Sequence, residues 1–174
     1  YFADDDNTYD LRLFEELRTT RKVSMFPVGF VNGDQGISAP IVKKGKVIGF
    51  TDSWFAQRKF PVDMAGFAVN LKFLSDRSTS RTDSLMPYKA GHEETLFLEA
   101  MNITLADIEP RAKNCTEVLV WHTRTVKVTL PDLKLTKHRS TSLKGLLNDM
   151  ERIGIAQIKT DGLELGTCLK ERCN

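Results

Sequence analysis

The sequence predicts an α/β fold, and three observations carry the prediction. Short apolar runs end at Gly, Pro or Asn, other stretches repeat apolar residues every three or four positions, and the two kinds are interspersed along the chain. With 174 residues, 41% hydrophobic and 28% charged, the chain is long enough for one globular unit with its own core. The 25 basic and 23 acidic residues are scattered and leave a net charge of +2. That balance argues against a nucleic-acid partner and against a polybasic membrane surface. No run reaches the roughly 18 apolar residues needed to cross a bilayer.

The elements follow in order. The opening "YFADDDNTYD" reads as the end of a strand, then a turn holding Asp4, Asp5 and Asp6, then a helix capped by Asn7 or Thr8 with Leu11, Phe14 and Leu17 recurring every three residues. "VSMFPVGFV" from Val23 is strand material, "NGDQG" a turn and "GKVIGF" a second strand. "FPVDMAGFAVNLKFL" is expected to turn helical around Phe67, Val69, Leu71 and Leu74, and residues 75–90 form a polar loop. "GHEETLFLEAM" starts a helix, "LADIEP" continues into a shorter one, and "CTEVLVWHTRT" is a strand. Beyond Pro131 the sequence turns basic and rich in Ser and Thr, with a short helix over Leu143–Arg152. Residues 1–130 are therefore expected to carry the chemistry, with 131–174 an extension of unassigned role.

Three like charges in a row persist only where solvent, a cation or hydrogen-bond donors offset their repulsion. Asp4, Asp5 and Asp6 thus suit either a hard divalent ion bound together with substrate phosphates or the positive end of a helix. Asp4-x-Asp6-x-Thr8 after an apolar run also fits a haloacid-dehalogenase-type phosphatase with Asp4 as nucleophile, although no later strand ends in paired acids. Glu93 and Glu94 open a helix, where either is a candidate general base or a helix-start charge. His122 and Arg124 lie two apart at a strand end, hence on one face, and suit a diphosphate. Trp54, beside Arg58, Lys59 and Phe60, is expected to pack in the core or to stack on a sugar face. Cys115, Cys168 and Cys173 have no metal-ligand spacing, and Asn102 and Asn114 begin glycosylation triplets.

"YFADDDNTYDLRLFEELRTTRKVS", "FPVDMAGFAVNL", "GHEET" and "DIEPRAKNCTEVLVWHTRT" together resemble the animal β-1,3-glucuronosyltransferases of the Golgi over residues 1–127. The resemblance implies a GT-A fold and a Mn²⁺-dependent, inverting transfer of glucuronate from UDP-glucuronic acid to the 3-hydroxyl of a terminal galactose on a glycan acceptor. It implies that Asp6 holds the metal and that Asp4 and Asp5 face the nucleotide. It assigns His122, Thr123 and Arg124 to the donor phosphates, Trp54, Arg58 and Asp63 to the acceptor galactose, and Glu94 to the base. Thr95 stands where the family often has Ser, Val126 where it has Glu, and Ser38 of "ISAP" where it usually has an acidic acceptor contact. The choice of acceptor is thereby left open.

The resemblance further implies a single-pass type II Golgi membrane protein with a lumenal catalytic domain, a homodimer, and glycans at Asn114 and Asn102. The family's donor-binding half precedes the acidic triplet, so the chain reads as a fragment that binds donor poorly by itself. A truncated, non-catalytic chain is the remaining alternative.

Overall fold

The computed structural model describes residues 1–30, 36–52, 58–77, 89–123, 130, 132–135 and 141–164. Three sheets organise them. The five-stranded sheet runs in the order β1 (Asn7–Tyr9), β8 (Val120–His122), β3 (Val28–Gly29), β4 (Ile37–Lys43), β5 (Lys46–Thr51). Only its β3–β8 pair is parallel. A second sheet places β2 (Val23–Met25) between antiparallel β6 (Phe67–Val69) and parallel β7 (Ile108–Pro110). In the third, β9 (Asp132–Lys134) lies between β10 (Gln157–Ile158) and β11 (Leu163–Glu164), all parallel.

The run read as one strand from Val23 is two, because Pro27 has no N–H to give to a ladder. The chain changes sheets across Phe26 and Pro27, with Phe26 N–H donating to the Gly66 carbonyl at 3.0 Å. β4 was not foreseen. Pro40 within "ISAPIVK" argues against a strand, yet β3 pairs only with Ile37 and Ser38, so no partner on that side asks Pro40 for a donor. Past the end of β3, the Ser142 hydroxyl takes the Val42 N–H at 2.9 Å. The β4–β5 hairpin turns at Lys44 and Gly45, both at positive φ (51° and 73°).

The first helix also differs from expectation. Asn7 and Thr8 do not cap it; they belong to β1, which pairs antiparallel with β8. The helix α1 spans Arg12–Arg18, and the Asp10 carboxylate accepts the Arg12 N–H at 2.9 Å at its start. Its buried residue is Leu13, whereas Leu11 and Phe14 are exposed. Phe67 and Val69 lie in β6 rather than in a helix, and α2 begins at Leu71 and ends at Arg77. α3 (Glu93–Ala100) forms as expected, and "LADIEP" divides into a single 3-10 turn, Leu105–Asp107, and β7.

The segment Ala112–Cys115 (α4) is one turn wound left-handed, with φ between 52° and 60° at all four residues. Such a turn costs roughly 1–2 kcal/mol per residue. Packing offsets this: Ala112 and Cys115 are buried, and Cys115 and Thr116 N–H groups bond to Arg111 and Ala112 carbonyls at 2.7 and 3.0 Å. The turn aims the chain into β8.

α5 (Ser142–Arg152) lies against β4. Leu143, Leu146, Leu147 and Met150 meet Ile37, Ala39, Ile41 and Val118 in one buried cluster, joined by Leu133 of β9. α5 and β9 are therefore built into the same core as β4. A second cluster gathers Met25, Phe50, Phe60, Phe67, Phe97 and Leu98 beneath α3. Among the described residues no helix is long and apolar enough to cross a membrane.

Candidate functional site

The pairing of β1 with β8 builds one side of the site. It sets Asn7 opposite His122 and lets the Thr123 N–H donate to the Asp6 carbonyl at 2.7 Å. The Thr8 and Thr123 hydroxyls also meet across the pair. The acidic triplet thus sits in the turn entering an edge strand, not in a strand-to-helix turn, and all three acids are exposed. The Tyr9 hydroxyl donates to the Asp4 carbonyl at 2.7 Å and closes that turn.

His122 stands between two carboxylates. Its Nε2 is 3.1 Å from Asp63 Oδ2, and its Nδ1 is 3.6 Å from Asp6 Oδ2. The hydrogen bond to Asp63 raises the imidazole above its ordinary range despite burial, and the charges of Asp63 and Asp6 add to the effect. Asp63 is itself fixed at both ends. Its Oδ1 accepts the Ala65 N–H at 2.9 Å as the cap of the 3-10 turn Met64–Gly66, and its own N–H donates to the Ser38 hydroxyl at 3.0 Å. One oxygen, Oδ2, is left to face His122.

The other side is built on α3. Thr95 locks the helix start onto the preceding segment: its hydroxyl donates to the Phe60 carbonyl at 2.8 Å and accepts the Phe60 N–H at 3.1 Å. Glu94 precedes it, half-buried, with Oε2 3.2 Å from Arg58 Nη1. Burial raises the Glu94 carboxyl above the ordinary carboxylate range, Arg58 pulls it back, and Asp63 and Glu93 push it up. Asp63 therefore bears on His122 and Glu94 alike. Arg58 is buried, and its other nitrogen, Nη2, is 3.4 Å from Asp52 Oδ1. A polar seam runs from Asp6 through His122 and Asp63 to Glu94, Arg58 and Asp52.

Of the residues nominated from sequence, the fold joins Asp6, Asp63, His122 and Thr123 in one group and Arg58 with Glu94 in another, with Asp4 and Asp5 exposed beside Asp6. Trp54 and Arg124 lie outside the described residues, as do Cys168 and Cys173. Ser38, noted only as a departure, is a buried support for Asp63, and Asp52 was not singled out at all. Asn102 and Asn114 are exposed at positive φ (53° and 59°). Cys115 is a buried free thiol whose pKa burial pushes upward, so it is inert.

Among the described residues no three His, Cys, Asp or Glu side chains converge on one point as a closed metal cage would need. The exposed Asp6 carboxylate, with Asp4 and Asp5 beside it, instead offers the hard oxygen donors of an ion that keeps most of its shell for water and substrate phosphate. The donor set fits Mn²⁺ or Mg²⁺ held in that way.

Residues 1–126 match the model of glycosyltransferase family 43, and the chain belongs to that family. It is 51% identical over 158 residues to galactosylgalactosylxylosylprotein 3-beta-glucuronosyltransferase S of Drosophila melanogaster, covering 89% of this chain and 37% of the relative. It is 46% identical to the P relative of the same fly, with 83% of this chain and 29% of the relative covered. It is 54% identical to galactosylgalactosylxylosylprotein 3-beta-glucuronosyltransferase 3 of Homo sapiens, with coverages of 73% and 37%. The chain spans 29–37% of the length of these curated relatives. The likeness to the S relative continues past residue 126, into the part that packs under β4. The phosphatase alternative gives way to the family match, and Thr8 lies in β1 rather than in a loop after a strand.

Proposed function

We propose that the protein carries out an inverting transfer of glucuronate from UDP-glucuronic acid to the 3-hydroxyl of a terminal galactose, on a GT-A scaffold of which these residues form the acceptor side. The observation that carries the reading is Glu94: a half-buried carboxylate paired with buried Arg58 at 3.2 Å, its pKa raised by burial and by the charge of Asp63. A general base works best with a pKa near the operating pH, and burial moves Glu94 in that direction. The names of the relatives supply the reaction and the acceptor class.

In this reading Glu94 takes the proton of the galactose 3-hydroxyl as that oxygen bonds to the anomeric carbon of glucuronate. The bond from that carbon to the diphosphate breaks, and its electron pair leaves with UDP. Asp63, Arg58 and Trp54 form the acceptor wall, with Ser38 behind Asp63 rather than in contact with sugar. His122, Thr123 and Arg124 hold the donor diphosphate, and the neighbouring carboxylates of Asp63 and Asp6 favour the protonated form of the imidazole. Asp4 and Asp5 face the nucleotide, and Asp6 would hold Mn²⁺. When bound, the ion supplies positive charge against the negative charge that grows on the leaving group.

The same reading makes the protein a single-pass type II Golgi membrane protein with a lumenal catalytic domain, acting as a homodimer and glycosylated at Asn114 and Asn102. The test is incubation of the full-length protein with UDP-glucuronic acid, Mn²⁺ and a galactose-terminated acceptor, with the product linkage read by NMR. A β-1,3-linked glucuronate that vanishes with chelator supports the reading. Release of UDP without glycan product, or no turnover on any galactose-terminated acceptor, overturns it.

A further inference from the structure

We propose that Asp52 is a positioning residue for Glu94, acting through Arg58. The proposal rests on the base assignment above. Asp52 directly follows β5 and is buried, with 5% of its side chain exposed. Arg58 is buried to the same degree, and its partners among the described residues include Asp52 Oδ1 at 3.4 Å, the Val62 carbonyl at 3.4 Å and Glu94 Oε2 at 3.2 Å.

A guanidinium is a flat fork, so fixing one nitrogen fixes the direction of the other. Asp52 and the Val62 carbonyl together orient the nitrogen that Glu94 meets. Val62 also adjoins Asp63, so one backbone segment ties the Arg58 fork to the Asp63–His122 pair. Removing Asp52 removes one of these anchors from a buried cation.

The arrangement has an electrostatic side as well. Among the described residues, the charges that act on Glu94 are Arg58 and Asp63 from the segment preceding α3 and Glu93 from its own helix. Asp52 acts one step further out, by sharing the single positive charge of Arg58. With both carboxylates present, Arg58 cannot hold Glu94 as tightly in the ionised form, and the base keeps affinity for a proton. Without Asp52, a larger part of that charge acts on Glu94. Asp52 and Arg58 therefore push the basicity of Glu94 in opposite directions, a signature that a merely structural pair would not produce.

The experiment uses the full-length protein with Asp52→Asn and Arg58→Gln, and Asp52→Thr in place of Asp52→Asn should the amide impair folding. Two readouts are taken. The first is the pH profile of kcat at saturating acceptor. The second is the carboxyl titration of Glu94, followed without substrates by NMR of ¹³C-labelled glutamate and assigned with Glu94→Gln. Asp52→Asn is expected to move both the acid limb and the Glu94 titration to lower pH and to reduce plateau kcat on the order of tenfold, with donor KM unchanged. Arg58→Gln is expected to move both to higher pH. Shifts of the same sign in the two variants, or an unmoved Glu94 titration in either Asp52 variant, overturn the proposal. Opposite titration shifts in a protein that transfers no glucuronate uphold the positioning and sink the reaction. Normal transfer with an unmoved profile does the reverse.

Discussion

Along β4, Ile37, Ala39 and Ile41 turn to α5 while Ser38, between them, turns the other way and holds the Asp63 N–H. Alternation along one strand therefore separates two regions of different character. Behind it lies an apolar layer whose members meet by shape alone. In front lies the seam from Asp6 to Asp52, where nearly every group is fixed by a named partner at hydrogen-bond distance. The layer is expected to tolerate hydrophobic exchange at the cost of stability. In the seam a change of one atom redirects charge, so its errors fall on activity.

The largest effect that would break this contrast is at Glu94. Glu94→Gln is isosteric and leaves Arg58 its contact with Asp52, so kcat is expected to fall by about 10²- to 10⁴-fold with the fold intact. Because burial holds the folded carboxyl above its unfolded value, ionising it in the fold opposes stability. That penalty is absent below the ordinary carboxylate range and grows as pH rises through it. The variant should therefore melt no lower than wild type at pH 7, read by calorimetry. A large loss of melting temperature would mean that Glu94 is a structural ion-pair member first.

Leu146→Ala tests the layer. Leu146 is fully buried against β4, and its truncation should cost about 2–5 kcal/mol in a denaturant titration, with kcat per folded molecule little changed. A comparable loss of kcat would show that α5 reaches the seam. Gly145 on the same helix sharpens the point. A Cβ there would lie 2.8 Å from Thr116 Cγ2, so Gly145→Ala is expected to destabilise by roughly 1–3 kcal/mol despite the better helix propensity of Ala. Thr116→Ser, which removes that methyl, should recover part of the loss.

The layer was legible in the sequence to a useful extent. The apolar spacing of "LKGLLNDM" marks α5, and "GKVIGF" marks β5, because both express local periodicity. β4 escaped because Pro40 reads as a strand breaker until one knows that β3 ends before reaching it. The apolar side of α1 was misplaced because a seven-residue helix holds barely two turns. The choice among Leu11, Leu13 and Phe14 is made by Phe26 and Leu119 across the core, not by the helix itself. In the seam, Glu94, His122 and the acids were legible through motif resemblance. Asp52 and Ser38 were not, since their partners lie 6 and 25 positions away and no local pattern records the pairing.

Ser38→Ala probes the boundary between the regions. It strands the Asp63 N–H, a cost of about 1–3 kcal/mol, and loosens the carboxylate that faces both His122 and Glu94. Ala39→Gly, one residue along, should cost stability without touching the seam. If Ser38→Ala lowers stability and leaves the kcat pH profile in place, Asp63 is held sufficiently by its bond to Ala65 and the seam is more tolerant than the contrast claims.

The smallest expected effect lies outside both regions and calibrates them. Lys22 Nζ is 2.5 Å from Asp107 Oδ1, and Asp107 also accepts the Thr104 hydroxyl and N–H, which lowers its pKa to about 2. A depressed carboxyl pKa contributes stability above the unfolded value of 3.8 and loses it as pH falls toward the folded one. Lys22 is about half exposed, so Lys22→Met should cost less than about 1 kcal/mol at pH 7. Its difference from wild type should fade as pH falls from about 4 toward 2. A difference that persists at pH 2 would show that the aliphatic stem of Lys22, not its charge, holds the turn against β2.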